Sequence, residues 1–298
     1  LAQVSRYSRE RSDAAWQRLG QRMGLTQPSV EEAQQRYRNP LLHTFKGHTG
    51  LVYSVCHVPA TESRPACLAT GSRDKTVKLW EIATGDVLRN FEGHTGAVFS
   101  VCHVPATESH PACLATGSSD DTVKLWDIAT GEVLRTFAEH TDSVVLVCHV
   151  PASGSHPACL ATGSADETVK LWDIETGALR RTLLGHTDWA RSVCHVPASG
   201  SRPACLATAS YDRTVKMWDI ATGAVLRTFE GHTHSVRSVC HVPASGSHPA
   251  CLATGSLDKT VKLWDIATGA VLRTFKGHTD AVSSVCHVPA SGSRPACL

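Results

Sequence analysis

Six times the chain places a Cys-His pair before a second cysteine, eleven residues after the first. "VCHVPASGSRPACL" at Val193–Leu206 returns unchanged at Val285–Leu298. The pairs are Cys56 and Cys67, Cys102 and Cys113, Cys148 and Cys159, Cys194 and Cys205, Cys240 and Cys251, and Cys286 and Cys297. Thiols and an imidazole at such spacing can hold zinc, close a disulfide or act as a nucleophile with its base. Which of these applies depends on the elements that carry them, because adjacent strand residues point to opposite faces.

The elements repeat. Gly-His recurs at Gly47-His48, Gly93-His94, Gly185-His186, Gly231-His232 and Gly277-His278, with Glu139-His140 filling the one gap, in steps of 46 residues. Trp80-Glu81, Trp126-Asp127, Trp172-Asp173, Trp218-Asp219 and Trp264-Asp265 run in step with it. One unit reads as four short strands: Val52–Val58, Ala66–Ser72, Thr76–Ile82 and Val87–Gly93. They are rich in β-branched residues and are separated by Pro, Gly and Asp turns, the pattern of an all-β repeat protein.

The sequence from Gly-His through "LATGSxDxTVKLWD" to the next Gly-His resembles the WD-repeat β-propeller family, five times over at fixed spacing. The resemblance implies all-β, four-stranded antiparallel blades around an axis, the outermost strand of one blade preceding the inner three of the next. Residues 41–298 are then expected to be a propeller fragment of five complete blades and an incomplete closing blade, truncated in the sixth repeat. Leu41–His48 is expected to be an outermost strand donated to the last blade.

The resemblance also assigns a buried hydrogen-bonded tetrad to each blade. The sets are His48, Thr70, Asp74 and Trp80; His94, Thr116, Asp120 and Trp126; His140, Thr162, Asp166 and Trp172; His186, Thr208, Asp212 and Trp218; and His232, Thr254, Asp258 and Trp264. Ser72 is the alternative hydroxyl in the first. An indole N–H needs an acceptor, a hydroxyl supplies it and can bond the imidazole, and a carboxylate fixes the tautomer. Thr, His and Asp could be mistaken for a hydrolase triad, but a catalytic site is needed once and this set occurs five times.

The two cysteines of a unit lie symmetrically about the loop joining its first two strands, so a hairpin sets them opposite each other on one face. The histidine beside the first points the other way, so Cys, His and Cys do not converge as zinc requires. A cross-strand disulfide is strained. Small buried thiols filling space between blades remain as the favoured reading.

The framework is nearly constant, so the exceptions are informative. After Gly-His-Thr come Leu51 and Tyr53, Ala97 and Phe99, Ser143 and Val145, Trp189 and Arg191, and Ser235 and Arg237; before the tetrad Asp come Arg73, Ser119, Ala165, Tyr211 and Leu257. The resemblance places both sets on the top face around the channel mouth. The expected partner-binding rim is Leu51, Tyr53, Arg73, Phe99, Val145, Trp189, Arg191, Tyr211, Arg237 and Leu257; aromatics and Arg dominate binding hot spots.

Residues 1–40 carry a helical pattern, with Trp16, Leu19 and Met23 on one stripe and a capping box at Ser29–Glu32. They are expected to form a helical N-terminal segment or linker. The net charge of +2, with 42% hydrophobic and 19% charged residues, gives no strong pull toward nucleic acid or anionic membrane. No HExxH, GxSxG or phosphate-cradling GxxxxGK[ST] occurs. The expected function is a non-enzymatic, cofactor-free scaffold for protein or peptide partners, intracellular in the cytoplasm or nucleus. The alternative is the ligand-sensing repeat domain of a larger signalling NTPase. Trp-Asp is never followed, one residue on, by Arg or Lys, which disfavours docking to ubiquitin-ligase adaptors.

Overall fold

Turn chemistry cuts each unit into strands at the same places. In the first unit Asp74 folds the tight turn between the second and third strands: its Oδ1 accepts the Thr76 N–H at 3.1 Å and the Thr76 hydroxyl at 2.6 Å. Lys75 is driven to a φ of 71°, and Asp121, Glu167, Arg213 and Lys259 repeat that left-handed geometry. The computed structural model describes residues 43–154, 156–200, 202–245, 248–288 and Cys297.

Among the described residues twenty strands form five four-stranded antiparallel sheets, all-β as the sequence predicts. Blade 1 holds β1 (Val52–Val58), β2 (Cys67–Ser72), β3 (Val77–Glu81) and β4 (Val87–Phe91). Blade 2 holds β5 (Val98–Val104), β6 (Cys113–Ser118), β7 (Val123–Asp127) and β8 (Val133–Phe137). Blade 3 holds β9 (Val144–Val150), β10 (Cys159–Ser164), β11 (Val169–Asp173) and β12 (Leu179–Leu183). Blade 4 holds β13 (Ala190–Val196), β14 (Cys205–Ser210), β15 (Val215–Asp219) and β16 (Val225–Phe229). Blade 5 holds β17 (Val236–Val242), β18 (Cys251–Ser256), β19 (Val261–Asp265) and β20 (Val271–Phe275). The first strands β1, β5, β9, β13 and β17 lie side by side in chain order.

The core lies between blades. Val58, Cys67, Ala69, Val77, Leu79 and Phe91 of blade 1 pack on Val98, Val101, Leu114, Trp126 and Ile128 of blade 2, and the later seams repeat this. Phe91, Phe137 and Phe229 each meet the next blade's tryptophan edge-on at 5.3–5.8 Å. Gly71 lets the seam close tightly, since a Cβ would come within 2.8 Å of Val98 and Val101 side-chain carbons; in blade 4 the same place holds Ala209, packed on Val236 and Val239. The preceding-blade side of β1 has no neighbour among the described residues: Val52 is 53% and Val55 62% exposed, against 0% and 5% for Val98 and Val101.

Two backbone-to-side-chain rungs tie the first strands together. The hydroxyls of Ser54, Ser100, Ser192 and Ser238 accept the N–H of Val101, Val147, Val239 and Val285, at 3.0–3.1 Å. Between blades 3 and 4 the serine is replaced by Leu146. The second rung is sulfur: Cys102 Sγ accepts the His149 N–H at 3.2 Å. Cys56, Cys148, Cys194 and Cys240 likewise accept from His103, His195, His241 and His287.

The cysteine register differs from the sequence expectation. Cys56 pairs with Ala69, and Cys67 with Val58. The loop closes as a tight turn bridging Thr61 and Arg64, one position further along than the symmetric hairpin. The two cysteines share a face but sit diagonally, and all twelve are free thiols. Burial pushes the Cys102 thiol up to about 11 and Cys56 to about 12, so little reactive thiolate forms. We expect iodoacetamide at neutral pH to label exposed Cys286 and Cys297 first; peptide mass mapping checks the order.

The helical segment expected at residues 1–40 lies outside the described residues. Of the strand expected at Leu41–His48, residues 43–48 form no strand. In the sixth unit the Val282 N–H donates to Ser256 O at 3.0 Å, and Val288 bridges Cys297.

Candidate functional site

In each blade the Gly-His loop, the second strand, the turn aspartate and the third-strand tryptophan meet in one hydrogen-bonded chain. In blade 4, Trp218 Nε1–H donates to Thr208 Oγ1 at 2.7 Å, Thr208 Oγ1 lies 2.7 Å from His186 Nε2, and His186 Nδ1 is 2.6 Å from Asp212 Oδ2. A carboxylate only accepts, so Nδ1 carries the proton and Nε2 takes the threonine hydroxyl's hydrogen. The contacts recur at 2.7–2.8 Å for His48, Thr70, Asp74 and Trp80 and for His94, Thr116, Asp120 and Trp126. They recur at 2.6–2.8 Å for His140, Thr162, Asp166 and Trp172 and for His232, Thr254, Asp258 and Trp264. Ser72 stays outside the chain, its hydroxyl accepting the Asp74 N–H at 3.1 Å.

Burial opposes ionisation of these aspartates, but hydrogen bonds outweigh it. For Asp212 the bond from His186 leads, with Thr214 adding its hydroxyl and N–H, and the carboxyl is held well below its usual range. Asp258 is held at about 2 by Thr260, His232 and the Thr233 N–H. The threonines are buried and each tryptophan is 1% exposed, so no substrate reaches the set. Its chemistry is that of a clamp joining the Gly-His loop to the blade's turn.

The clamp shapes one end of the array. The loop after each Gly-His bonds the turn before the tetrad Asp: Arg73 N–H to Leu51 O at 2.8 Å, Ser119 to Ala97 at 2.9 Å, Ala165 to Ser143 at 2.9 Å, Tyr211 to Trp189 at 3.1 Å and Leu257 to Ser235 at 3.0 Å. The two variable sets are thereby paired, blade by blade. The residue two positions on is a bulge in every first strand: register slips between Val52 and Ser54, Val98 and Ser100, Val144 and Leu146, Ala190 and Ser192, and Val236 and Ser238. Tyr53, Phe99, Val145, Arg191 and Arg237 are the extra residues, freed from the ladder, as bulges free side chains at functional rims.

These side chains assemble across blades. Tyr53 and Phe99 meet at 5.1 Å. Trp189, 41% exposed on an interior blade, stacks on Tyr211 at 5.6 Å with an interplanar angle of 9°. Arg237 lies over the Tyr211 ring at 6.0 Å. Leu51 and Arg73 are exposed and Leu257 is half-buried. Val145 departs from expectation. It is 4% exposed and offers its carbonyl, not its side chain, to the Arg191 guanidinium at 3.2 Å. A β-branched apolar group at a bulge gains more from packing than from water.

Sequence reasoning passed over the left-handed turn residues. Lys75, Arg213 and Lys259 are basic in blades 1, 4 and 5; Asp121 and Glu167 are acidic in blades 2 and 3. Asp142 joins the acidic side. Burial, then Asp142, Asp120 and Asp166, push the Asp121 carboxyl upward. The signal was the one free charged position after each tetrad aspartate.

Among the described residues no group of three or more His, Cys, Asp and Glu is placed to hold a metal ion, and no helix is long and apolar enough to cross a membrane. Comparison with known families finds the WD domain, G-beta repeat at residues 39–81, 85–127, 131–173, 177–219, 223–265 and 269–294. Proteins named "Ribosome biogenesis protein BOP1 homolog" from Drosophila virilis and Drosophila melanogaster are each 51% identical over 45 residues, 15% of this chain. The match spans only 5% of those relatives' length.

Proposed function

The chain belongs to the WD domain, G-beta repeat family, whose repeats generally mediate protein–protein interaction, and from that premise we propose that it is a scaffold holding a peptide or protein partner on the rim of bulge and turn residues. The observation that carries the reading is exposed Trp189 stacked on half-buried Tyr211 under Arg237, on a blade covered on both sides. An aromatic of this size at the surface costs free energy unless a partner covers it. The charge division favours a partner that brings acidic groups to Arg191, Arg213 and Arg237 and basic groups to Asp121 and Asp142. Such complementarity sets orientation and association rate.

The family is typically a non-enzymatic scaffold. The segment shared with the ribosome biogenesis relatives is about one repeat long; it extends the repeat to this chain, not the process. The ligand-sensing reading has no observation in its favour. Twelve free thiols in staggered register suit a reducing intracellular compartment, cytoplasmic or nuclear. We place the functional unit at residues 41–298 and leave residues 1–40 as the linker.

The test combines Trp189→Ala with Arg191→Glu and Arg237→Glu. Partners captured by the parent protein, identified by quantitative mass spectrometry, should be lost while the melting temperature moves by less than about 3 °C. Capture of the same partners at the parent level would refute the rim.

A further inference from the structure

Blade 4 carries an aromatic or an arginine at every one of its variable rim positions. They hold Trp189, Arg191, Tyr211 and Arg213, where blade 3 has Ser143, Val145, Ala165 and Glu167. Trp189 is 41% exposed and stacks on Tyr211, and Arg237 of blade 5 lies over the Tyr211 ring.

The three guanidiniums are lightly engaged. Arg191 Nη1 donates to Val145 O at 3.2 Å, and Arg237 Nη1 donates to the Ser283 hydroxyl at 3.4 Å. Arg213 is exposed, on a left-handed residue with a φ of 74°. Among the described residues no carboxylate forms an ion pair with any of the three. The carboxylates of the same loop and turn are already committed. Asp188 accepts the Trp189 N–H at 2.8 Å, and Asp212 is held by His186 and Thr214.

An exposed indole can take either a cation or an uncharged ring. Three unneutralised positive charges repel a cation here, and they attract an anion set beside the ring. A ring extends the Trp189–Tyr211 stack and contributes beyond its buried area. The arginine fork matches a carboxylate in plane and spacing. Resting on the rim as the partner surface, we infer that blade 4 with Arg237 docks a linear segment of the partner in which an aromatic side chain is flanked by Asp or Glu. The ring stacks on Trp189, and the flanking carboxylates meet Arg191, Arg213 and Arg237.

The test is fluorescence anisotropy of short dye-labelled peptides against the full chain at about 50 mM salt, where charge is weakly screened. The peptides carry phenylalanine flanked by aspartates, phenylalanine flanked by lysines, leucine flanked by aspartates, or phosphotyrosine flanked by serines. The first should bind about tenfold more tightly than the second and about threefold more tightly than the third. Three variants borrow residues that other blades carry at the same places: Trp189→Ser, Tyr211→Ala and Arg213→Glu. Glu167 holds the left-handed position in blade 3 at a φ of 68°, so glutamate fits there. Melting curves certify each fold. Arg213→Glu should weaken the aspartate-flanked peptide about tenfold and erase its advantage over the lysine-flanked one. Tyr211→Ala should erase the preference for phenylalanine over leucine, and Trp189→Ser should abolish binding. Absence of binding, a preference for lysine, equal binding of leucine, or an unaffected Arg213→Glu or Trp189→Ser protein would each overturn the inference. Binding of the phosphotyrosine peptide alone would overturn the carboxylate source. If the peptides fail while the triple rim variant still loses its captured partners, the rim stands and only this chemistry falls.

Discussion

Thr208→Val should lower the unfolding free energy by roughly 3 kcal/mol, seen as a shifted midpoint in urea at unchanged slope. The substitution conserves shape at a position 0% exposed, so packing is little disturbed. It removes the one atom that both accepts from Trp218 Nε1 and donates to His186 Nε2. Two buried polar groups are orphaned together, each at about 1–3 kcal/mol. The imidazole then loses the bond that sets its tilt toward Asp212, so the Gly-His loop loosens too. Trp218→Phe deletes only the donor and leaves Thr208 its contact with Lys216 O at 3.4 Å, so it should cost less. The double variant should cost less than the sum, because the missing N–H no longer seeks an acceptor. A midpoint within about 0.5 kcal/mol of the parent for Thr208→Val would show that the tetrad holds nothing together.

Acid should weaken the array well above the range where carboxylates titrate. His103, His149, His195 and His241 sit on the first strands, and in all four burial is the main force against protonation. The charged neighbours add to it: Arg64 and His57 for His103; His103, His110 and His195 for His149; His156 for His195; Arg202, His195 and His287 for His241. His149 and His241 are held at about 4. In the tetrads, burial likewise lowers His232, against the pull of Asp258. The unfolded imidazole titrates at about 6.5. Between about 6.5 and 4 the unfolded chain therefore binds more protons, and stability present above that window is lost as pH falls through it. These residues are partly exposed, so solvent screening reduces the nominal effect by about half. His149 and His241 together give on the order of 2 kcal/mol between pH 7.5 and 5, or about 4 °C in melting temperature, and His103 and His195 act in the same direction. The tetrad aspartates stay ionised throughout this window. His149→Leu with His241→Leu should flatten the profile. A parent profile already flat, or an unchanged slope in the double variant, contradicts the account.

Strand positions were legible because Pro59, Gly85 and Asp74 punctuate them with residues that can do little else. Blade order followed from the period. The tetrad residues could be named because each is a rare type at a fixed offset. Three features were not readable, for one shared reason: they depend on contacts about 46 residues away or on a backbone slip without a residue signature. The bulge that frees Tyr53 and Arg191 has no composition of its own. The shift that pairs Cys56 with Ala69 is decided inside the loop by the Thr61–Arg64 turn. Val145 turns inward to pack and leaves its carbonyl to Arg191 of the following blade.

The replacement of serine by Leu146 has a consequence for how the array comes apart. A chain of near-identical units behaves as a row of springs coupled to nearest neighbours, and it parts where coupling is least. Leu146 has no hydroxyl for the next strand, and Leu183 has no ring for Trp218. Pulled from its ends or exposed briefly to protease, the molecule should open first between blades 3 and 4, releasing a three-blade and a two-blade piece.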